Sequence, residues 1–360
     1  MQYTMSQPLI GTLLFIILAT YNAHGMDSKP GRKRPERPLP IVTTRALTPV
    51  AETHELVDDD EITSPRVASG AATPGAGWAG WRALRVTWIA LANRGVRHVI
   101  DTTPLEDRYL TRLGQYVDTD LLCGVFDGHL GHRAAEIAAE KIPASLPPQL
   151  VGEPLTPFHV ESALGRSFLT AEDAIHEDDG GTTATVAYIW PSMKRQKLVV
   201  SVANTGDSRT LVCDLAGNIL LETRDHKATD PEEETRITDA GGLVFGRRLS
   251  GCIELSRSLG DLEQKQERSG YATGLIALPE TYSHTMEHTC FILQATDGLW
   301  DHASSRHAAI TVAAALAPIK EREAQLEEAA RLLYHHACSG AAAPRDDTTI
   351  LLTLLEPATD

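Results

Sequence analysis

The sequence predicts a largely antiparallel α+β domain in which helices cover sheets. Three observations carry that expectation. Short apolar runs recur from about Trp81 onward and outnumber the helical segments. Many of these runs are separated by turn residues instead of helices, which favours antiparallel pairing over crossover units. With 360 residues and 42% hydrophobic composition the chain can bury a large core, and an aromatic share of only 5% leaves Val, Leu, Ile and Ala to fill it.

In chain order, the runs at 121–126 (LLCGVF), 182–190 (TTATVAYIW), 198–203 (LVVSVA), 210–213, 219–221, 291–295 and 350–355 read as strands. Ala216-Gly217-Asn218 between two of them reads as a hairpin turn. Three segments read as helices. The stretch 131–142 is Ala-rich. The stretch 158–175 follows Thr156-Pro157, an N-cap and a proline at the first helical position. The stretch 321–338 places Leu326, Ala330, Leu333 and Ala337 at helical spacing and ends before Gly340.

The N-terminus reads separately. Residues 9–19 (LIGTLLFIILA) form an apolar run of signal-peptide length, short of the ~17–25 residues needed to span a bilayer. Ala23-His24-Gly25 supplies small residues for a cleavage site. The region before the run has no Lys or Arg, whereas Lys29, Arg32, Lys33, Arg34 and Arg37 follow it, the charge order of an anchor that keeps the domain in the cytoplasm. Residues 1–25 are therefore expected to be a signal peptide or a short membrane anchor. The location follows as secretory or membrane-associated, or as cytoplasmic if the segment is bypassed or acts as such an anchor. Residues 26–73, Pro-rich and then acidic at Asp58, Asp59, Asp60 and Glu61, read as a disordered linker, and 74–360 as the folded domain. Gly75, Gly77 and Gly80 match GxGxxG, but no strand precedes them, so a dinucleotide site is not expected.

The chain carries 33 Lys+Arg against 48 Asp+Glu, a formal charge of −15. That balance excludes a broad nucleic-acid face, which needs basic residues, and is compatible with sites for hard cations. The five cysteines are widely spaced without a CxxC pair and read as small buried thiols.

Chemistry concentrates in Asp-containing motifs at the ends of apolar runs: Leu105-Glu106-Asp107, Phe126-Asp127-Gly128-His129, Gly206-Asp207-Ser208-Arg209, Thr296-Asp297-Gly298 and Asp346-Asp347-Thr348. Any one of them is ordinary turn chemistry. Together they can converge on one sheet edge, where carboxylates would hold Mg²⁺ or Mn²⁺. Two such ions can activate a water and clamp a phosphate for in-line displacement.

At these residues the sequence resembles the metal-dependent protein Ser/Thr phosphatases of the PP2C type. PLED (104–107), VFDGH (125–129), GTTATV (181–186), ANTGDSR (203–209), DHKATDPEEETRITDAGG (225–242), LSRSLGD (255–261), ATDGLWD (295–301) and DDTTILL (346–352) occur in family order. The resemblance implies a two-sheet antiparallel β-sandwich flanked by helices, with metals at one end. It implies that Asp127 bridges two Mg²⁺ or Mn²⁺ ions and that the Gly128 carbonyl binds one. Asp297 and Asp346 would complete the first site and Glu106 would serve the second. Asp107 would orient the attacking water, and Asp207 would help hold a third, weaker ion. His129 would be the general acid, and Thr183 the small hydroxyl residue beside the substrate. Phosphorylated proteins are the implied partners, with a monomer expected and a membrane tether available through residues 9–19.

Three positions depart from the family pattern. Thr102 stands where the family carries a phosphate-gripping Arg, for which Arg97 is the nearest stand-in. Leu130 replaces a second Gly, and Asp347 an Asn. Two readings follow: an active phosphoserine/phosphothreonine phosphatase, or a catalytically weak relative that binds a partner through the same fold. Retention of the carboxylates and of His129 favours the first.

Overall fold

The computed structural model describes residues 66–72, 84–96, 98, 103–114, 120–151, 155–192, 197–265, 273–317, 321–338 and 344–357. The N-terminal run 9–19, the acidic cluster 58–61, the GxGxxG match, Arg97 and Thr102 lie outside them. Among the described residues no helix is long and apolar enough to cross a membrane.

Among the described residues sixteen strands occur in the order β1 (Arg66–Ala72), β2 (Leu84–Asn93), β3 (Arg108–Leu113), β4 (Leu121–Phe126), β5 (Gly128–His129), β6 (Gly181–Thr182), β7 (Ala184–Ser192), β8 (Lys197–Thr205), β9 (Arg209–Asp214), β10 (Ile219–Glu222), β11 (Val244–Phe245), β12 (Arg248–Leu249), β13 (Leu259–Gly260), β14 (Glu280–Thr285), β15 (Cys290–Ala295) and β16 (Thr348–Pro357). The helices are α1 (Arg133–Leu150), α2 (Pro157–Glu172), α3 (Pro231–Asp239), α4 (Leu262–Lys265), α5 (Asp297–Trp300), α6 (Ser305–Leu316) and α7 (Arg322–Ala337).

Two antiparallel sheets dominate. One runs β1-β2-β16-β15-β9-β10 and the other β14-β8-β7-β4-β3. Val86, Trp88 and Ala90 of β2, Ile292 of β15 and Leu351 of β16 meet Leu121, Cys123 and Val125 of β4 and Val200 and Val202 of β8 in one buried cluster, the interior of the sandwich. The opposite faces are also covered. Leu122 and Phe126 of β4 join Ala138, Ile142, Leu164 and Phe168 of α1 and α2. Phe291 and Leu293 of β15 join Ala309, Val312, Leu326 and Leu333 of α6 and α7. Central strands buried on both faces need no polar alternation, which is why LLCGVF and CFILQA are unbroken apolar runs in antiparallel sheets.

Three differences from the sequence reading have physical causes. The helix expected at 131–142 continues to Leu150 through Pro143, Pro147 and Pro148, because Ile142, Leu146 and Leu150 extend the buried face. The run 182–190 is two strands: Thr183 breaks it where the chain leaves a small sheet, β13-β6-β5, for the main one. Strand β1 lies inside the stretch 26–73 read as linker. It pairs along β2 from Arg66↔Ala92 to Ala72↔Val86, and an edge strand held by backbone bonds needs little apolar sequence to mark it.

Between α3 and β14 sits a buried ionic cluster. Arg257 donates to Glu233 at 2.6 and 3.1 Å, and Arg236 donates to the same carboxylate at 2.8 Å. Burial alone would raise the Glu233 carboxyl, but these guanidiniums hold it well below the usual range. Arg257→Ala should leave a buried carboxylate half-paired. The expected loss is about 3 kcal/mol, roughly 6–12 °C in Tm for a domain of this size, read by thermal melting. An unchanged Tm would show that the cluster contributes nothing to stability.

Candidate active site

The acidic motifs meet at one end of the sandwich. Asp127 follows β4, Asp107 precedes β3, Asp207 follows β8, Asp297 opens α5 after β15, and Asp346 precedes β16. The glycines of both Asp-Gly motifs allow close approach. A Cβ on Gly128 would lie 2.5 Å from the Glu106 carbonyl oxygen, and one on Gly298 would lie 2.1 Å from that of Asp347. Any side chain at either position would push the acidic loops apart.

The backbone around Asp127 is fixed from both sides. Its N–H donates to Thr183 Oγ1 (3.2 Å), and its carbonyl accepts from Thr183 N (2.9 Å) and Thr182 Oγ1 (3.0 Å). Glu106 Oε1 accepts from Gly131 N at 2.7 Å. Asp347 clamps two segments, its oxygens accepting from Gly95 N and Glu106 N at 2.8 Å each, with His98 Nδ1 2.9 Å away. Asp107 Oδ2 accepts from Thr296 Oγ1 at 3.0 Å.

Below this cluster the sandwich core turns polar. Thr183 Oγ1 and Ser208 Oγ lie 2.7 Å apart, as do the hydroxyls of Thr185 and Thr210, and Gln294 donates to Thr210 Oγ1 at 3.0 Å. Thr183, expected beside the substrate, is instead 2% exposed, with its hydroxyl taken up by Ser208 and the Asp127 N–H. It braces Asp127 from behind.

The carboxylates crowd one another. Burial pushes Asp127 well above the usual carboxylate range, and Asp297, Asp107, Asp207 and Asp346 push it further. Asp297 is raised by burial and then by Asp207 and Asp346, and Asp107 by burial and then by Asp347 and Asp297. Asp207 is raised by burial too, but Lys227 opposes the shift, its Nζ 3.3 Å from Asp207 Oδ2 and 3.6 Å from Asp301 Oδ1. A lysine ammonium thus stands at the position expected to help hold a third ion.

Next to the carboxylates, His129 Nε2 lies 2.9 Å from both oxygens of Asp261. The ring is 29% exposed and the Asp261 side chain 1%. Burial works against the imidazolium, but the Asp261 carboxylate holds the His129 pKa above its ordinary value.

The site thus gathers buried carboxylates at strand ends beside a partly exposed histidine. The family model described as Protein phosphatase 2C matches residues 101–345. This chain belongs to the protein phosphatase 2C family. It is 35% identical over 203 residues to the human "Probable protein phosphatase 1N", covering 54% of this chain and 46% of that one. It is 31% identical over 238 residues to "Probable protein phosphatase 2C 59" of Oryza sativa subsp. japonica, covering 63% and 67%. The chain thus spans between about half and two thirds of the length of these relatives. Among solved structures, a C. elegans sex determining protein superposes with a TM-score of 0.58 at 26% identity, covering 77% of this chain and 65% of that one. A phosphatase from Toxoplasma gondii gives 0.62 at 18% identity, covering 82% and 96%, and so shares the two-sheet PP2C fold.

The PP2C donor set fits divalent cations. It is all oxygen, as hard cations require, and Asp107 Oδ1 is buried without a hydrogen-bond partner. Among the described residues no group of three or more His, Cys, Asp or Glu side chains is already drawn together around one cation position.

Three residues at the PP2C site escaped the sequence reading as functional groups: Lys227, in the DHKAT stretch, Asp261, which closes LSRSLGD, and His98. Isolated charged residues give no periodic signal, and only the fold shows that Lys227 meets Asp207, His98 meets Asp347 and Asp261 meets His129.

Proposed function

We propose that the protein is a divalent-cation-dependent phosphatase that releases phosphate from phosphoserine and phosphothreonine in proteins. The observation that carries this reading is the convergence of Asp107, Asp207, Asp297 and Asp346 on a buried Asp127, whose pKa they all raise, beside a partly exposed His129. Bound Mg²⁺ or Mn²⁺, held chiefly by Asp127, Asp297, Asp346, Glu106 and the Gly128 carbonyl, would neutralise phosphate charge and activate the attacking water.

The chain's own residues do the rest. Asp107, buried behind the cluster, orients the water as an acceptor. Thr182 and Thr183 fix Asp127, and Asp347 fixes Glu106, so that the oxygens stay aimed without reorganisation. His129 delivers a proton to the departing Ser or Thr oxygen, since an alkoxide leaves poorly unless protonated. Lys227, between Asp207 and Asp301, limits the negative charge on that flank.

Phosphate release from a phosphothreonine peptide by the full chain tests the reading. Activity is expected with Mn²⁺ or Mg²⁺ and none in EDTA. Full turnover in chelator would overturn the mechanism. Peptide binding without turnover under any metal would favour the second reading, a catalytically weak binding protein.

A further inference from the structure

We propose that Asp261 is the positioning residue for His129, holding Nε2 so that the other ring nitrogen, Nδ1, faces the leaving oxygen. The inference rests on the reading of His129 as general acid and adds the group that aims it.

The placement begins with the three-stranded sheet. Gly260 of β13 pairs with Gly181 of β6, and Gly181 pairs with His129 of β5. Asp261, one residue beyond Gly260, is thereby carried across the middle strand to the histidine ring. The contact needs a glycine in between: a Cβ on Gly181 would lie 2.4 Å from Asp261 Oδ2 and 2.4 Å from His129 Nε2. Any other residue at 181 would occupy the space in which the two side chains meet.

Asp261 is also held in a conformation it would not choose. Its φ is +50°, in the left-handed region that residues with a Cβ seldom occupy. The surroundings enforce it. Asp261 N donates to Gly180 O at 3.0 Å, and its carbonyl accepts from Gln264 N at 2.9 Å. Glu172 of α2 accepts from Gly260 N at 2.7 Å and from Lys265 Nζ at 2.6 Å, and that lysine donates again to Ser258 O at 2.8 Å. A bracket from α2 therefore grips the loop on both sides of Asp261.

The carboxylate itself is spoken for. Oδ2 accepts from Ser258 Oγ at 2.6 Å, and both oxygens face Nε2. An ionised carboxylate only accepts, so Nε2 must carry a hydrogen, and the exchangeable role falls to Nδ1. The logic is that of a hydrolase triad, in which a buried aspartate fixes tautomer and ring orientation without itself taking the proton.

The test compares Asp261→Asn with wild type on a phosphothreonine peptide and on p-nitrophenyl phosphate, in the full chain with saturating Mn²⁺. An alkoxide needs the acid and a nitrophenolate does not. The peptide kcat should therefore fall ~10–100-fold, part of the ~10²–10⁴ a general acid supplies, while the aryl phosphate loses less than about threefold. In a His129→Ala background the second substitution should add nothing on the peptide. Equal losses on both substrates, or full additivity with His129→Ala, would overturn the assignment. If His129→Ala alone slows both substrates equally, the general-acid reading fails separately. Imidazole ¹⁵N shifts of His129 give an activity-independent arm: Nε2–H is expected in the wild type and a mixture of tautomers in Asp261→Asn. An Nδ1–H tautomer in the wild type would overturn the proposal whatever the kinetics.

Discussion

Asp127→Asn is expected to abolish phosphate release and, in the same protein, to raise the melting temperature measured in chelator. The two effects have one cause. Asp127 is buried, and four other aspartates act on it electrostatically. Replacing its carboxylate by an amide of the same shape removes a buried charge and its repulsions, while the backbone bonds to Thr182 and Thr183 survive. A gain of about 1 kcal/mol, ~2–4 °C, is expected without metal. With metal, the lost ligand should cost several kcal/mol of transition-state stabilisation, ~10³-fold or more in rate. The pH dependence has a definite sign. Asp107, Asp127, Asp207 and Asp297 all have folded pKa values raised above the unfolded ones. Their contribution is fully present below the unfolded carboxylate pKa, about 4, and is lost as pH rises through the raised values. Tm in chelator should fall as pH climbs from mildly acidic to alkaline, and the fall should be shallower in Asp127→Asn. Glu233 and Glu280 have lowered values, Glu280 held down to about 2, so their stabilisation fails on the acid side instead. A variant that keeps its rate, or that melts lower in chelator at every pH, would place Asp127 outside the cation site.

Much of this site was legible before the fold because its chemistry sits where strands end. An apolar run followed by Asp-Gly is a local pattern, and the motifs placed Asp127, Asp207, Asp297 and Asp346 beside the strands that carry them. The central strands were legible for the same reason: LLCGVF and CFILQA are buried on both faces. What escaped was set by tertiary contact. Strand β14, ETYSHT, is half-exposed throughout and carries no run to read. Helix α1 passes three prolines because its packing continues beyond them. The inward turn of Thr183 depends on its neighbour Ser208, 25 positions away. Asp261 reaches His129 across 132 positions through a glycine in a two-residue strand, a relation that no local pattern encodes.

His129→Ala is expected to slow phosphopeptide hydrolysis ~10²–10⁴-fold while leaving aryl phosphate hydrolysis within about tenfold of wild type. The asymmetry follows from the leaving group. Serine and threonine depart as alkoxides, strong bases that must be protonated as the P–O bond breaks, whereas a nitrophenolate is stable without a proton. The structure supplies a ring that is partly exposed and rests on a buried carboxylate, with its pKa held above the ordinary value, so a protonated fraction persists near neutral pH. The same substitution has a second readout. Asp261 would lose His129, the main group that lowers its pKa, and keep the Ser258 hydroxyl and the nearby Lys265 charge, still buried and still held at positive φ. A buried carboxylate stripped of its main partner costs about 1–3 kcal/mol, so His129→Ala should melt roughly 2–12 °C lower. The double variant His129→Ala with Asp261→Asn should recover part of that loss, since an amide tolerates burial better than an unpaired charge. Recovery of Tm without recovery of peptide turnover would separate the two roles of the pair, one in stability and one in catalysis. Equal rate losses on peptide and aryl substrates, with no Tm change, would instead mean that the ring neither protonates the leaving oxygen nor depends on Asp261.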